Sequence, residues 1–252
     1  TLTRLFYNQI LTLSSFEREM KMLKWFGRIA AGLVILSLIG AVGTYAFVRN
    51  AVDGMFGGKT TIARTDIPDE KPEKIIITNA NILSPSGDRF LVDQDLIIQN
   101  NIITFIGPNA DRSGYPLIID ASQKYVIPGL VDSHVHLWRS ENDLLLYVAN
   151  GVTLVREMHG TDLHIKWRDE IENGRIGPDL NIIAAQLATY DFAQGIWVDM
   201  TAERNVVRSD EDVRRTVKSL LDAGFDGLKA SSFLSRPAYQ AASKETREHK
   251  AR

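Results

Sequence analysis

The sequence contains no cysteine among its 252 residues. Disulfide bonds and thiolate metal sites are therefore excluded. An excess of charge of one sign is also missing, because the formal net charge is −2. This balance gives no indication of nucleic acid or another polyanion as a partner. The apolar share of 44% and the charged share of 24% are ordinary for a globular protein, and the length could hold one large domain or two small ones.

Charge is absent altogether from the run at residues 29–48. A helix of this length spans about 30 Å, which is the thickness of the hydrocarbon core of a bilayer. Arg28 and Arg49 close the run at its two ends. A cleaved signal peptide has an apolar core of usually about 7–15 residues, so the length favours an uncleaved anchor. A cleaved signal, with small residues at 43–46, and a buried core helix remain as alternatives.

The basic residues before this run predict its orientation. Lys21, Lys24 and Arg28 precede it, so we expect the N-terminus in the cytoplasm and the main domain outside, in the periplasm or the extracellular space. The predicted organisation is a cytoplasmic segment, a single transmembrane helix, a turn-rich linker, a small β-sandwich segment and a barrel segment. Their respective ranges are 1–28, 29–48, 49–72, 73–127 and 128–252.

The segment at 73–127 contains short β-rich runs that are separated by turns. Asn100 and Asn101 can adopt the positive φ that a two-residue hairpin requires. A small antiparallel sheet or sandwich is therefore predicted, with strands at 74–78, 95–99, 102–106, 117–120 and 125–127.

From residue 128 onwards strands and helices alternate, which indicates parallel βα units. Strands are predicted at 130–135, 151–156, 180–185 and 225–230, and a long loop follows the third of them. Helices are predicted at 141–149, 162–173, 210–223 and 236–252. A complete (β/α)₈ barrel has eight strands in about 250 residues. The predicted fold class is therefore α/β, with the N-terminal half of a TIM barrel after the sandwich segment and the transmembrane helix.

His134 and His136 stand two residues apart at the end of the first barrel strand. Their side chains leave a strand on the same side, because side chains two apart share a face. Neutral imidazole is a good ligand for zinc and other first-row divalent metals. Without further context, the pair also fits two strand-end histidines that are hydrogen-bonded to the neighbouring backbone.

The context of this pair is a family motif. The sequence Pro-Gly-Leu-Val-Asp-Ser-His-Val-His at 128–136 closely resembles the first-barrel-strand motif of the amidohydrolase superfamily. Gly-Phe-Asp-Gly-Leu-Lys at 224–229 resembles the fourth-strand motif of its prolidase-like members. The chain as a whole resembles prolidase-like or imidazolonepropionase-like members. The resemblance covers about residues 74–230. It implies that His134 and His136 bind the more buried ion of a site for one or two divalent metals, with zinc expected. It also implies that Lys229, carboxylated by carbon dioxide, bridges two metals.

The chemistry that this resemblance implies is hydrolysis of a C–N bond by metal-activated water. The expected substrates are small-molecule amides, cyclic amides or dipeptides. Trp138 and His159 are candidates for contacts with the substrate, although a solvated loop histidine also fits His159. Glu157 is expected either to support the metal ligands or to form an inter-helix ion pair. His164 and His249 are expected to be exposed to solvent.

The family's site also uses histidines from strands five and six and an aspartate from strand eight. None of these strands is predicted here, so we expect a truncated chain that is inactive by itself. A homo-oligomer could instead complete the barrel. The alternative from a different class is a non-catalytic, membrane-tethered half-barrel that binds a partner.

Overall fold

The computed structural model describes the backbone of residues 2–63 and 72–250 and the side chains of residues 20–63, 72–198 and 201–249. A long helix, α1 (Leu2–Met55), opens the chain. It forms without interruption because the sequence contains no proline before Pro68. Shortly after its end, Gly57 has a φ of 91°, a left-handed conformation that suits glycine.

Part of α1 is long and apolar enough to cross a membrane. This part is Met20–Met55, and its most apolar window is not buried against the described residues. The helix thus extends beyond the predicted span at 29–48 and includes the start of the predicted linker at 49–72. The middle of that linker, at 64–71, lies outside the described residues.

The first sheet has five strands in the order β3-β2-β1-β4, with β5 also pairing with β1. The strands are β1 (Lys74–Leu83), β2 (Phe90–Gln99), β3 (Ile102–Gly107), β4 (Leu117–Asp120) and β5 (Tyr125–Val126). As predicted, Asn100 and Asn101 adopt positive φ in the turn between β2 and β3. The predicted antiparallel pairing is wrong for β4 and β5, which run parallel to β1 because loops carry the chain back before each of them. A second sandwich layer stays a prediction.

The second sheet is parallel and has the order β10-β8-β7-β6, with β9 pairing with β8. Its strands are β6 (Leu130–Val135), β7 (Val152–Gly160), β8 (Asp179–Ala188), β9 (Asn205–Val206) and β10 (Gly227–Ala230). The helices are α2 (Asp143–Ala149), α3 (Asp162–Glu172), α4 (Phe192–Thr201), α5 (Asp210–Asp222) and α6 (Arg236–Lys250). The predicted alternation of strands and helices is present, while closure into a barrel stays a prediction.

Helix α4 occupies the region that was predicted as a long loop. Asp191 caps its N-terminus, because the carboxylate accepts a hydrogen bond from the backbone N–H of Gln194 at 2.8 Å. Helix α5 is capped in the same way by Ser209, whose hydroxyl accepts a hydrogen bond from the backbone N–H of Asp212.

The core lies between the second sheet and its helices, where Leu144, Trp167 and Ile182 are buried together. This packing fixes the parallel strands side by side. Their C-terminal ends therefore share one edge of the sheet.

Candidate functional site

Polar side chains collect at the edge where the parallel strands end. His134 lies on β6, His136 directly follows it, His159 lies near the end of β7, and Lys229 lies on β10. In α/β proteins with parallel strands, ligands bind at this edge. The edge is therefore the candidate site.

The two histidines of the motif lie close together. The ring centroids of His134 and His136 are 5.4 Å apart, and the two rings are inclined by 73°. Two imidazoles that bind one tetrahedral ion, each at about 2.0–2.1 Å, have centroids separated by roughly 5 Å. The spacing of this pair thus fits a shared divalent cation.

The pKa of His136 is shifted in the direction that favours metal binding. Its pKa is lowered, first because burial disfavours the imidazolium and then by the charges of Lys229, His159 and His134. The neutral ring keeps a nitrogen lone pair available for a cation.

The charge of Lys229 affects the pKa values of several side chains at this edge. This positive charge contributes to lowering the pKa of His136 and of His159, and it offsets part of the rise that burial causes in the pKa of Glu157. The structure therefore brings this lysine near the histidines of β6 and β7, although the order of the strands separates β10 from β6.

Glu157 is a fully buried carboxyl group on β7. Its two oxygens accept hydrogen bonds from the backbone N–H groups of Leu137 and His159. Burial raises its pKa, and those two hydrogen bonds together with the charge of Lys229 offset part of this effect. The carboxylate lies 3.7 Å from Nδ1 of His136. An inter-helix ion pair was the wrong expectation, because Glu157 lies on a strand and ties β7 to the segment after β6.

His159 is only 6% exposed, so the expectation of a solvated loop histidine is wrong. Its Nε2 lies 2.9 Å from the carbonyl oxygen of Ala202, which can only accept, so Nε2 carries the proton. Burial lowers the pKa of His159 and keeps the ring neutral. Strand β7 is longer than predicted because Val155, Glu157 and His159 continue the alternation of buried positions. Two of these residues are polar, so the alternation does not show in the apolar pattern.

Trp138 lies at the mouth of the site with a φ of 50°. Its ring stacks on Phe56 with a centroid distance of 4.3 Å, and on His136 with a centroid distance of 5.3 Å. The carbonyl oxygen of Trp138 accepts a hydrogen bond from Nε2 of His164 at 2.8 Å. The indole is thus fixed from both its ring and its backbone.

His164 is 1% exposed, which corrects the expectation of a solvent-exposed residue. Its Nδ1 accepts a hydrogen bond from the backbone N–H of Thr161 at 3.0 Å and completes the cap of α3. Burial lowers the pKa of His164 to about 4. His249 is half-buried on α6, with its Nε2 3.8 Å from Asp222, so it is less exposed than predicted.

The end of α1 contacts the site, which the sequence did not indicate. Arg139 forms ion pairs with Asp53 and Glu203, and its backbone N–H donates to the carbonyl oxygen of Phe56 at 2.9 Å. Arg49 binds Glu203 at 3.0 Å. A cavity of about 10 Å³, room for about one water molecule, remains between Phe56, Trp138 and their neighbours. The contacts join residues far apart in sequence, and local patterns do not reveal such contacts.

The described side chains at this edge offer fewer donors than a complete metal site needs. Within the described residues, no group of three or more His, Cys, Asp or Glu side chains could hold a metal ion. Even an open catalytic zinc site keeps three protein ligands. Two imidazoles fit a divalent cation, and a third protein ligand from this edge would have to come from Lys229.

Comparison with known proteins gives partial matches. No protein-family model matches the chain. A stretch of 84 residues is 33% identical to the dihydroorotase of Syntrophobacter fumaroxidans and covers 32% of this chain and 19% of that protein. The chain thus matches about a fifth of the length of this curated relative.

Solved structures match a larger part of the chain. A crystal structure of an amidohydrolase superposes with a TM-score of 0.59 at 20% identity, over 70% of this chain and 54% of that chain. A Xaa-Pro dipeptidase with bound methionine superposes with the same TM-score and identity, over 70% of this chain and 55% of that chain. The chain therefore has the amidohydrolase superfamily fold over this part, which confirms the resemblance seen in the sequence.

Proposed function

We propose that this chain is part of a membrane-anchored, metal-dependent hydrolase that cleaves C–N bonds in small-molecule amides, cyclic amides or dipeptides. The observation that carries the proposal is the pair of imidazoles of His134 and His136, 5.4 Å apart at the strand ends. Lys229 supports it, because its charge acts on the same side chains. The similarity to a dihydroorotase and to a Xaa-Pro dipeptidase agrees with this type of bond.

His134 and His136 would hold one divalent cation, with zinc the proposed metal. Lys229 would bridge to a second cation after its amine adds to carbon dioxide, which forms an N–C bond and releases a proton. The chemistry that such cations supply is the activation of water and the polarisation of a carbonyl oxygen. Glu157 would orient the segment that carries His136, through the hydrogen bond from the Leu137 N–H group.

Trp138 and His159 would line the place where the substrate binds. Their ring centroids are 5.1 Å apart, and the rings of His136 and His159 are 6.1 Å apart. Because the Nε2 proton of His159 is donated to Ala202, its Nδ1 is the ring atom that accepts hydrogen bonds. These two side chains therefore offer an aromatic surface and one acceptor beside the proposed metal ligands.

We propose that residues 1–252 do not hydrolyse amides without further ligands. The described residues offer two imidazoles and one lysine at the site, and they hold no cluster of three or more His, Cys, Asp or Glu ligands. The completed site would need additional ligands and a general base. These would come from a longer form of the chain or from a second copy.

We further propose that α1 anchors the domain as a single span. The charge-free run at 29–48 would cross the bilayer, with the N-terminus in the cytoplasm and the α/β part outside. Lys21, Lys24 and Arg28 support this orientation.

Metal analysis of the purified full chain tests the site. We expect bound zinc in the wild type, a loss of bound zinc in His134→Ala and in His136→Ala, and no loss in the control His249→Ala. Equal metal content in all four proteins would contradict the assignment. A carbamate signal from ¹³C-labelled carbon dioxide that is absent in Lys229→Ala would support the bridging role.

An activity assay with dihydroorotate and Xaa-Pro dipeptides tests the proposed incompleteness of the site. We expect no hydrolysis by the 252-residue chain, even when it is loaded with zinc. Hydrolysis at ordinary enzymatic rates would contradict the proposed incompleteness of the site. Tight zinc binding in a chain that associates with a specific partner and still shows no hydrolysis would favour the binding module.

A further inference from the structure

Helix α4 exposes an apolar face. Phe192, Ile196 and Trp197 are 76%, 46% and 59% exposed. At about 100° per residue, these positions and the exposed Ala193 lie within one side of the helix. Single exposed apolar residues are common, whereas a large ring at each end of one helical face marks an interaction surface.

This face lies next to the place where α1 leaves its charge-free run. Helix α4 packs against α1. Glu203, two residues after the end of α4, binds Arg49 at 3.0 Å, and Arg49 directly follows the run at 29–48. Helix α4 has ten residues and is about 15 Å long. Its apolar face therefore begins near the contact with Arg49 and extends along the helix for about 15 Å.

A cation accompanies the apolar face. A Cβ atom added to Gly195 would lie 2.9 Å from Nη2 of Arg208, so this guanidinium rests on α4 at Gly195, next to the apolar face. Arg208 is exposed, and no carboxylate with a described side chain lies within ion-pair distance of its guanidinium. Aromatic rings near a cation are typical of helices that lie in the interface of a membrane with anionic lipids.

We propose that α4 lies on the bilayer surface, with Phe192, Ile196 and Trp197 among the upper acyl chains and Arg208 at the lipid phosphates. Continuity with α1 distinguishes this occupant from a soluble partner, because the ion pair to Arg49 holds α4 beside the point of exit. The docked helix would bring Ala202, which accepts the hydrogen bond from His159, close to the membrane. The candidate site would then receive substrates from the membrane surface. The inference rests on the proposed span of α1 and is independent of the hydrolase chemistry.

The absence of cysteine allows a direct test, because one introduced thiol can be labelled alone. The full chain is reconstituted at one copy per lipid nanodisc that contains anionic lipid. Ala193→Cys places a fluorophore on the apolar face of α4. Arg214→Cys, exposed on α5, is the matched control, and Val42→Cys in the charge-free run is the membrane reference. Quenching by lipids brominated near the headgroup reports the depth of each label.

We expect strong quenching and blue-shifted emission at position 193, deeper burial at 42, and neither effect at 214. Adding Trp197→Glu to the Ala193→Cys protein should return its label to water-like emission. Water-like emission at 193 in the parent protein would overturn the proposal. Protection at 193 that appears only with two copies per disc would overturn it in favour of self-association. Water-like emission at 42 would overturn the span of α1 and the docking of α4 with it, whatever the metal content of the chain.

Discussion

At the scale of single residues, burial shifts the pKa values of the histidines at the site. Burial lowers the pKa of His159 and His164, and partial burial lowers the pKa of His136, which remains exposed at the edge of the sheet. The three histidines differ in the hydrogen bonds that their ring nitrogens make. His159 and His164 each have a ring nitrogen committed to a backbone carbonyl, whereas His136 has only a long contact to Glu157. Among the described contacts, His136 is therefore the one of these three with both ring nitrogens free of hydrogen bonds, whereas His159 keeps Nδ1 as an acceptor.

The sequence identified some of these residues and could not identify others. The spacing of His134 and His136 predicts a shared side of the strand, since that follows from strand geometry alone. The burial of His164 depends on the carbonyl of Trp138, 26 residues away, which no local pattern contains. Phe56 was missed for the same reason, because it meets Trp138 only through the fold.

His164 should make stability depend on pH. Its pKa is about 4 in the folded chain, against 6.5 when unfolded, so the unfolded state binds more protons between these values. The contribution of His164 to the free energy of unfolding is fully present above about pH 6.5. It is lost as the pH drops towards 4, by about 3 kcal/mol in all. Urea unfolding at several pH values should show a shallower pH dependence for His164→Gln, whose amide can replace the donor to Trp138. The same dependence in wild type and variant would contradict this, and His249→Gln serves as the control.

Glu157 should tune metal binding without being a ligand. Replacing it by Gln removes one acceptor oxygen, so one of the N–H groups of Leu137 and His159 loses its partner. We expect zinc affinity to fall by about 10–100-fold, the usual effect of losing a supporting group behind a metal ligand. Titration calorimetry of the full chain measures this, with Glu245→Gln on α6 as a matched change far from the site. Unchanged affinity would restrict Glu157 to a structural role.

At the scale of elements, the helices α2, α3, α5 and α6 were predicted close to their observed bounds, whereas β1 and β2 each extend five residues beyond their predicted ranges. Helix α4 was missed because its apolar residues face solvent and resemble a loop in the absence of a buried stripe. Its signal was the cap, Asp191 followed three residues later by Gln194. Strand β7 was predicted too short because the buried positions at its end are Glu157 and His159. The sequence patterns of core elements therefore reveal neither α4 nor the full length of β7.

Gly160, at the end of β7, should be intolerant of a side chain. A Cβ atom there would lie 2.3 Å from Cγ2 of Ile182 and 2.8 Å from the carbonyl oxygen of Ile183, so the β7–β8 pairing would have to move. We expect Gly160→Ala to destabilise the chain by about 1–3 kcal/mol, as overpacking does. Gly32→Ala, where the added atom meets nothing within 4 Å, is the control in the same urea assay. Equal free energies of unfolding for the two variants would show that β7 and β8 accommodate the added methyl group without destabilisation.

At the scale of the whole molecule, the end of α1 and the α/β part are held as one unit. Arg139 is central, since its side chain binds Asp53 and Glu203 and its backbone binds Phe56. Ion pairs at a partly exposed surface contribute little each, so the stacked rings of Phe56 and Trp138 should matter more. Any tilt of α1 would then be transmitted to the segment that follows His136.

Removing the Phe56 ring should loosen that segment. An aromatic pair contributes about 0.5–1.5 kcal/mol beyond its buried area, so Phe56→Ala should raise amide exchange at Arg139 by roughly 2–10-fold. The Arg139 N–H group is the sensitive probe because it donates to the carbonyl oxygen of Phe56 at 2.9 Å. Phe47→Ala removes an exposed ring from the same helix and should leave this exchange rate unchanged. Hydrogen exchange with mass spectrometry on the reconstituted chain makes the comparison. Equal exchange in both variants would mean that the ion pairs alone hold α1, and Arg139→Ala should then produce the loosening instead.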